Sequence, residues 1–228
     1  MGTTLASDSF PYDDGTLLSA CDGWETTNSY PRIYDGGVAG NSYGLGYRTD
    51  VTETDYSVSA VIDRKSDPSA GSGYLGITAR YIDDSNYLYM WARYESASSS
   101  ATVQVKKVIA GTETILYSAV RTLSTESVFK IEVDGQVVTA YKDDTEIGSW
   151  ELGEGELETG VPGVKLAWLA STSGYPRLDD FLVESLTTTA SALKAYISEA
   201  WVQGTLKVFT GGAWVAGVLK RFNGTDWA

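Results

Sequence analysis

The stretch "NYLYMWARY" places Tyr87, Tyr89, Trp91 and Arg93 at every second position, with Leu88, Met90, Ala92 and Tyr94 between them. Side chains of an extended strand alternate between two faces. The second set therefore reads as core, and the first as a row of aromatic rings ending in a guanidinium. Such a row suits saccharide recognition, because sugars stack their apolar faces on aromatic rings while a few polar groups fix the hydroxyls. Arg80, on the preceding strand, falls near the row, which gives a candidate binding set of Arg80, Tyr87, Tyr89, Trp91 and Arg93. The same pattern has a second reading, in which the aromatic strand simply covers its sheet or meets a neighbouring subunit.

Other chemistry is scarce. The 228 residues include no histidine and one cysteine, Cys21, which removes histidine-dependent triads, zinc triads and an internal disulfide. Cys21 sits in "SACDGW" without a basic neighbour to activate its thiol. The glycine-rich "DGGVAG" and "GSGYLG" lack the strand and helix context of a phosphate-binding loop. Seventeen basic against 30 acidic residues give a formal charge of −13. Nucleic acid is then an improbable partner, since no cationic footprint offsets phosphate repulsion. The acidic residues recur as pairs, Asp13-Asp14, Asp83-Asp84, Asp143-Asp144 and Asp179-Asp180, which read as solvated turns, with calcium ligation as the alternative. No cofactor is expected otherwise. No apolar run approaches the ~18 residues of a membrane span, and "MGTTLASDSF" lacks the basic and apolar regions of a secretory signal. Cytoplasmic synthesis without that export route, and no membrane insertion, are the expectations.

The elements that would hold the aromatic row are strands. In "YSVSAVI" Tyr56, Val58, Ala60 and Ile62 alternate with smaller or polar residues, and in "VFKIEVDG" Phe129, Ile131 and Val133 alternate with Lys130, Glu132 and Asp134. This is the half-buried strand pattern. Asp134-Gly135 and Asp143-Asp144 punctuate residues 127–150 into a three-stranded meander. About a dozen short strands precede residue 188, the rhythm of a two-sheet sandwich and not of alternating strand and helix. The small, polar "SLTTTASA" reads as a linker. The expected division is residues 1–188 as a β-sandwich and 189–228 as a separate segment.

That segment is a repeat. Leu193, Leu206 and Leu219 are spaced by thirteen, as are Tyr196, Phe209 and Phe222, and Trp201, Trp214 and Trp227. Each unit, L-K-x-[YF]-x-x-x-x-W, reads as strand, four-residue turn and strand. Residues 193–228 fall below the roughly 40 needed for an independent core, with no disulfide to compensate. The nine repeated residues are therefore expected to bury their apolar side chains against a partner: the same segment in other copies, another protein, or the chain's own sandwich.

The opening "DSFPYDDGTLLSACDGWET" and the closing "GYPRLDDFLVESL" frame the sandwich in a recognisable order. The region from about residue 5 to 188 resembles the concanavalin A-like, laminin G-type lectin domain of minor tail proteins of tailed bacteriophages. Asp8, Phe10, Asp14, Gly15, Leu17 and Trp24 match the family's opening motif, with Tyr12 where a basic residue is usual, and Asp179, Asp180 and Phe181 match its closing strand. The thirteen-residue units are similar to those ending many phage tail and virion proteins. The resemblance implies an all-β jelly roll whose first and last strands adjoin, carried in a virion. It implies other virion proteins and copies of the same chain as partners, and a host-surface glycan as ligand. A head decoration or head fibre protein would share these features. A carbohydrate-active enzyme of laminarinase-like fold is the rival from another class. Such enzymes carry E-x-D-x-x-E on one strand, and no such string occurs; the acidic "ELGEGELE" (Glu151, Glu154, Glu156, Glu158) reads as a solvated loop. The chain is therefore expected not to be an enzyme.

Overall fold

Period-two alternation becomes strand after strand. In the computed structural model these are β1 Thr4–Asp8, β2 Trp24–Thr26, β3 Arg32–Tyr34, β4 Gly37–Ala39, β5 Gly44–Arg48, β6 Tyr56–Asp63, β7 Gly73–Asp83, β8 Asn86–Tyr94, β9 Ser100–Ile109, β10 Thr112–Thr122, β11 Ser127–Asp134, β12 Val137–Lys142, β13 Thr145–Glu151, β14 Val161–Ala167 and β15 Arg177–Ser185. The structure describes residues 2–29, 31–34, 36–40, 42–63, 73–94, 100–124, 126–167, 177–186, 193–197, 200–204, 209–210 and 213–214. Among them the single helical element is a short 3-10 turn, Leu18–Ala20. The chain divides into two compact units, Met1–Leu186 and Thr187–Ala228.

The first unit is a jelly-roll sandwich of the concanavalin A-like type. One sheet runs β13-β12-β11-β6-β15-β4-β3, with β1 paired to β15 as its eighth strand; the other has seven strands in the order β10-β9-β8-β7-β14-β5-β2. Each sheet turns one apolar row inward. Val58, Ile62, Phe129 and Ile131 from the first meet Leu75, Ile77, Leu88, Met90, Val103 and Val105 from the second, all fully buried. That burial is the main stabilising term, since each such side chain contributes roughly 1.5–3 kcal/mol.

The first and last strands of the sandwich adjoin, with Ser7 opposite Leu182 and Asp8 opposite Phe181. The buried Asp8 carboxylate accepts from Trp24 Nε1 at 2.9 Å and from the Phe10 amide at 2.7 Å. It thereby caps a turn in which Phe10 takes φ +49°. Asp180, near the same seam, caps no turn. It is the exposed bulge residue of β15, at φ +46°, and its amide donates to Asp179 Oδ1 at 2.8 Å.

The acidic turns have local explanations. Asp143 and Asp144 both take positive φ, 49° and 58°, between the paired ends Lys142 and Thr145, which is what a two-residue hairpin matched to strand twist requires. Ala110 and Gly111 do the same between Ile109 and Thr112. In the β11–β12 hairpin the connection is Gly135-Gln136, one residue later than the sequence suggests, because Asp134 is still paired with Val137.

The second unit contains β16 Leu193–Ile197, β17 Ala200–Gly204, β18 Phe209–Thr210 and β19 Ala213–Trp214. The repeat appears in the pairing itself: Tyr196 is opposite Trp201 in the first hairpin, and Phe209 is opposite Trp214 in the second. Each unit's two aromatic positions are thus cross-strand partners. The strands continue inside these pairs, to Ile197↔Ala200 and Thr210↔Ala213, so the four-residue turn expected between them is shorter. Leu206, Leu219, Phe222 and Trp227 lie outside the described residues.

Candidate functional site

The outward faces of the two sheets differ in kind. On the eight-stranded sheet the outward row is polar: Ser57, Ser59, Lys130, Glu132 and Thr139 share one face. Lys130 bridges Glu132 at 2.9 Å, and Tyr141 donates to the same carboxylate at 2.8 Å. This is the usual solvated side of an antiparallel sheet. The seven-stranded sheet instead carries a second apolar cluster on its outward face, built from Leu45, Tyr81, Tyr87, Tyr89, Trp91 and Val108 with Tyr47 and Tyr74 packed against it.

Backbone register explains how so many rings fit. Trp91 is opposite Gly76, which is opposite Lys165; Tyr89 is opposite Thr78, which is opposite Gly163. Neither glycine has room for a side chain. A Cβ on Gly76 would lie 2.0 Å from Met90 O and 2.5 Å from Trp91 Cα, and one on Gly163 would lie 2.2 Å from Gly46 O. These bare positions leave a floor over which neighbouring side chains spread. Trp91 stacks on Tyr74 at 4.2 Å and meets Tyr89 edge-on at 4.9 Å, while Tyr47 stacks on Tyr81 at 4.7 Å.

Two lysines enter this aromatic layer. Lys165, 2% exposed, places Nζ 3.6 Å from the Tyr89 ring centroid, 4.6 Å from Tyr87, 5.0 Å from Trp91 and 5.4 Å from Tyr43. It donates to Tyr87 Oη at 2.8 Å. Burial pushes its pKa down to about 7; Glu113 and Asp84 oppose that shift and Lys106 adds to it. Lys106 lies 5.1 Å from the Trp91 ring and is paired with Glu113 at 2.7 Å. Glu113 also accepts from the Tyr89 hydroxyl. Burial alone would raise the Glu113 pKa, but the hydrogen bonds from Lys106 and Tyr89 outweigh it and hold the carboxyl below the usual range.

Tyr87, Tyr89 and Trp91 therefore come together as their alternation requires, but not as an open platform. They are 4%, 0% and 8% exposed, because their faces are already taken by one another, by Tyr74 and by the lysines. The accessible rim consists of Tyr43, 44% exposed with its hydroxyl 3.2 Å from Tyr87 Oη, the partly exposed Tyr47 and Tyr74, and the exposed Arg93, whose guanidinium lies 5.8 Å from the Tyr74 ring.

Arg80 does not join them. It takes φ +50° within the bulge of β7, which turns its side chain away from this face. There it is 1% exposed and donates to the carbonyls of Leu157 at 2.7 Å and Thr54 at 3.1 Å, with Asp55 at 3.4 Å. Its role is to tie the segment preceding β14 to the segment preceding β6.

Sequence reasoning missed Lys165, Lys106, Glu113, Tyr43, Tyr47 and Tyr74. One signal was available: in "VPGVKLA" a lysine stands between Val164 and Leu166 inside an otherwise apolar strand. A charge there must find partners on the opposite face. Glu113 carried none, since it becomes part of the site only through the register of β10.

Other features are less suited to binding. A concavity of about 530 Å³ at the β1–β15 seam is lined by Asp8, Tyr12, Asp22, Arg48, Asp180 and Phe181, among others. Its buried polar groups are engaged already: Asp8 as described, and Arg48 with Asp50 through Nε at 2.8 Å and Nη2 at 2.5 Å. Cys21 is buried, and burial together with Asp8 pushes its thiol up to about 11, away from the reactive thiolate. Among the described residues no group of three or more acidic or cysteine side chains is arranged to hold a metal. In the acidic loop Glu156 pairs with Lys107 at 2.5 Å and accepts from the Gly153 amide.

No known protein family's profile matches the chain, and no curated protein matches it in sequence. Solved structures do share its fold. The carbohydrate-binding module CBM66 from Bacillus subtilis aligns with a TM-score of 0.53 at 16% identity, over 77% of this chain and 100% of that one. The endo-β-1,3-glucanase from Pyrococcus furiosus gives 0.51 at 12%, over 88% and 95%. The CBM2 module of the evolved Dit of Lactobacillus casei BL23 phage J-1 gives 0.50 at 9%, over 81% and 96%. At these identities the likeness shows the fold alone.

Proposed function

We propose that this chain is a non-enzymatic, lectin-like virion component of a tailed bacteriophage, of the minor tail type. Its sandwich binds a host-surface saccharide on the outward face of the seven-stranded sheet. The observation that carries this reading is the second aromatic cluster. A sandwich needs one apolar face per sheet, so a set of tyrosines and a tryptophan on the other face, tipped with lysine, arginine and glutamate, calls for a ligand. Tyrosine suits that role, with an apolar body and a hydroxyl that reaches water or sugar. A carbohydrate-binding module and a phage protein's CBM2 module of the same fold support the reading.

The glucanase of the same fold raises a hydrolytic alternative. Glycoside hydrolysis takes a carboxylic acid with a raised pKa and a second carboxylate placed across the bond. Among the described residues Glu113, Asp84 and Glu25 are the carboxylates that hydrogen-bond to the ring cluster, each tied to a tyrosine hydroxyl. Glu113 is held low, the wrong direction for a general acid.

The repeat segment supplies attachment in this reading. Its paired aromatic positions, Tyr196↔Trp201 and Phe209↔Trp214, recur in a segment shorter than the roughly 40 residues of an independent core, which favours docking on further copies or on another virion protein.

A glycan array probed with the full chain and with a Tyr43→Ala/Tyr74→Ala double variant tests the binding face. These two rings lie on the rim, so their loss leaves the buried cluster standing. Selective binding that the double variant loses, at unchanged thermal unfolding, supports the reading; binding that survives intact removes the face from consideration.

A further inference from the structure

Among the described residues the two lysines of the aromatic layer share one bonded carboxylate. Lys165 and Lys106 both lie over the Tyr89 and Trp91 rings, yet among the described residues Glu113 is the one carboxylate bonded to either, and it is bonded to Lys106. An ammonium has three hydrogens to donate. Lys165 places one on Tyr87 Oη, and the ring faces compensate part of the remaining charge. A buried ammonium without a bonded counter-ion is costly, and Lys165 stands between Val164 and Leu166 in an otherwise apolar strand.

We propose that the saccharide bound by this face is acidic, and that its carboxylate is received by Lys165 beside Lys106. Tyr43 covers this position: its ring is 5.4 Å from Lys165 Nζ and its hydroxyl touches that of Tyr87. The incoming carboxylate takes the place of that hydroxyl contact. The inference rests on the saccharide-binding reading of the face and adds the ligand's charge and the residue that selects it.

A pH signature follows. The titratable groups around Lys165 are Tyr43, Tyr87 and Tyr89, whose rings lie against it, Glu113, Lys106 and Asp84, whose charges act on it, and Tyr47 and Tyr81 of the same aromatic cluster. Burial raises the tyrosines above their ordinary range and Glu113 is held low, whereas burial brings the Lys165 pKa down to about 7. A carboxylate favours the ammonium and raises that pKa. Binding above pH 7 therefore takes up a proton, and affinity falls by up to about tenfold per pH unit until the pKa of the complex is reached.

The test is isothermal titration of the full chain with a panel of uronate-containing oligosaccharides and their carboxyl-reduced, neutral counterparts. It is run at about pH 6 and pH 8.5 in two buffers of different ionisation enthalpy, on wild type and Lys165→Met. The uronates are expected to bind at least about tenfold more tightly than their neutral counterparts, with uptake approaching one proton at the higher pH. Lys165→Met is expected to lose both the preference and the uptake while still binding the neutral sugars and unfolding cooperatively. Equal binding of acid and neutral forms, or proton uptake that persists in Lys165→Met, overturns the proposal and leaves the saccharide reading standing. Failure of every sugar to bind wild type overturns both.

Discussion

Lys165 Nζ lies 3.6 Å from the centre of the Tyr89 ring, although the two residues belong to strands separated by β7. Gly76, opposite Lys165 in the register, presents no side chain on the strand between them. The contact joins a stability question to a binding question, because the same ammonium that would select a ligand is expensive to bury without one.

Replacing Lys165 with methionine is expected to stabilise the free protein at pH 7 by roughly 1–4 kcal/mol, the range seen when buried charges give way to apolar side chains. The sign with pH is fixed by the direction of the shift. The folded pKa is down to about 7, whereas an unfolded lysine keeps its proton to about pH 10.4. Between those values the unfolded chain binds more protons, so wild-type stability rises with pH, and below pH 7 the penalty is constant. Thermal unfolding from about pH 7 to pH 9 checks this; a variant with the wild-type pH slope contradicts it.

Arg80 anchors backbone and not ligand. Arg80→Met is expected to cost about 2–4 kcal/mol, since the Leu157 and Thr54 carbonyls lose a buried donor, with saccharide affinity unchanged in the folded fraction. Denaturant unfolding and titration on the same sample separate the two effects. A binding defect without a stability defect would put Arg80 back in the site.

Gly76→Ala introduces a Cβ 2.0 Å from a backbone oxygen of β8, which no side-chain movement relieves. A loss of about 1–3 kcal/mol or more is expected, with a changed near-ultraviolet circular dichroism spectrum as Trp91 and Tyr74 shift on each other. An unchanged spectrum and melting temperature would mean that the β7–β8 contact is looser than the register implies.

A chain ending at Leu186 is expected to remain a folded sandwich, because it keeps every described residue of the inter-sheet core and all of the first compact unit. It should lose self-association or incorporation into particles, as should full-length Trp201→Ala/Trp214→Ala. Sedimentation and particle composition report the outcome; incorporation of the truncated chain at the wild-type level contradicts the attachment role of the repeat.

The sandwich was legible in the sequence because its inward rows alternate so regularly: Val58, Ala60 and Ile62, or Phe129, Ile131 and Val133, admit only one face as core. The row Tyr87, Tyr89 and Trp91 was legible for the same reason. Its state was not. Whether a ring row is open or covered depends on what adjacent strands bring to it, and Lys165, Glu113 and Tyr74 arrive through register between segments distant in the chain. Arg80 was misplaced because a bulge shifts the alternation that assigned it to a face, and no residue type announces that bulge.

The saccharide-binding reading stands or falls on the outward face of the seven-stranded sheet. The direct measurement is titration of the full chain with the best array saccharide, comparing wild type with Tyr43→Ala/Tyr74→Ala and with Lys130→Ala/Glu132→Ala on the opposite sheet. A loss of at least about tenfold, or about 1.4 kcal/mol, is expected for the first pair and no change for the second. Equal affinities across all three proteins, or a loss confined to the second pair, would contradict it.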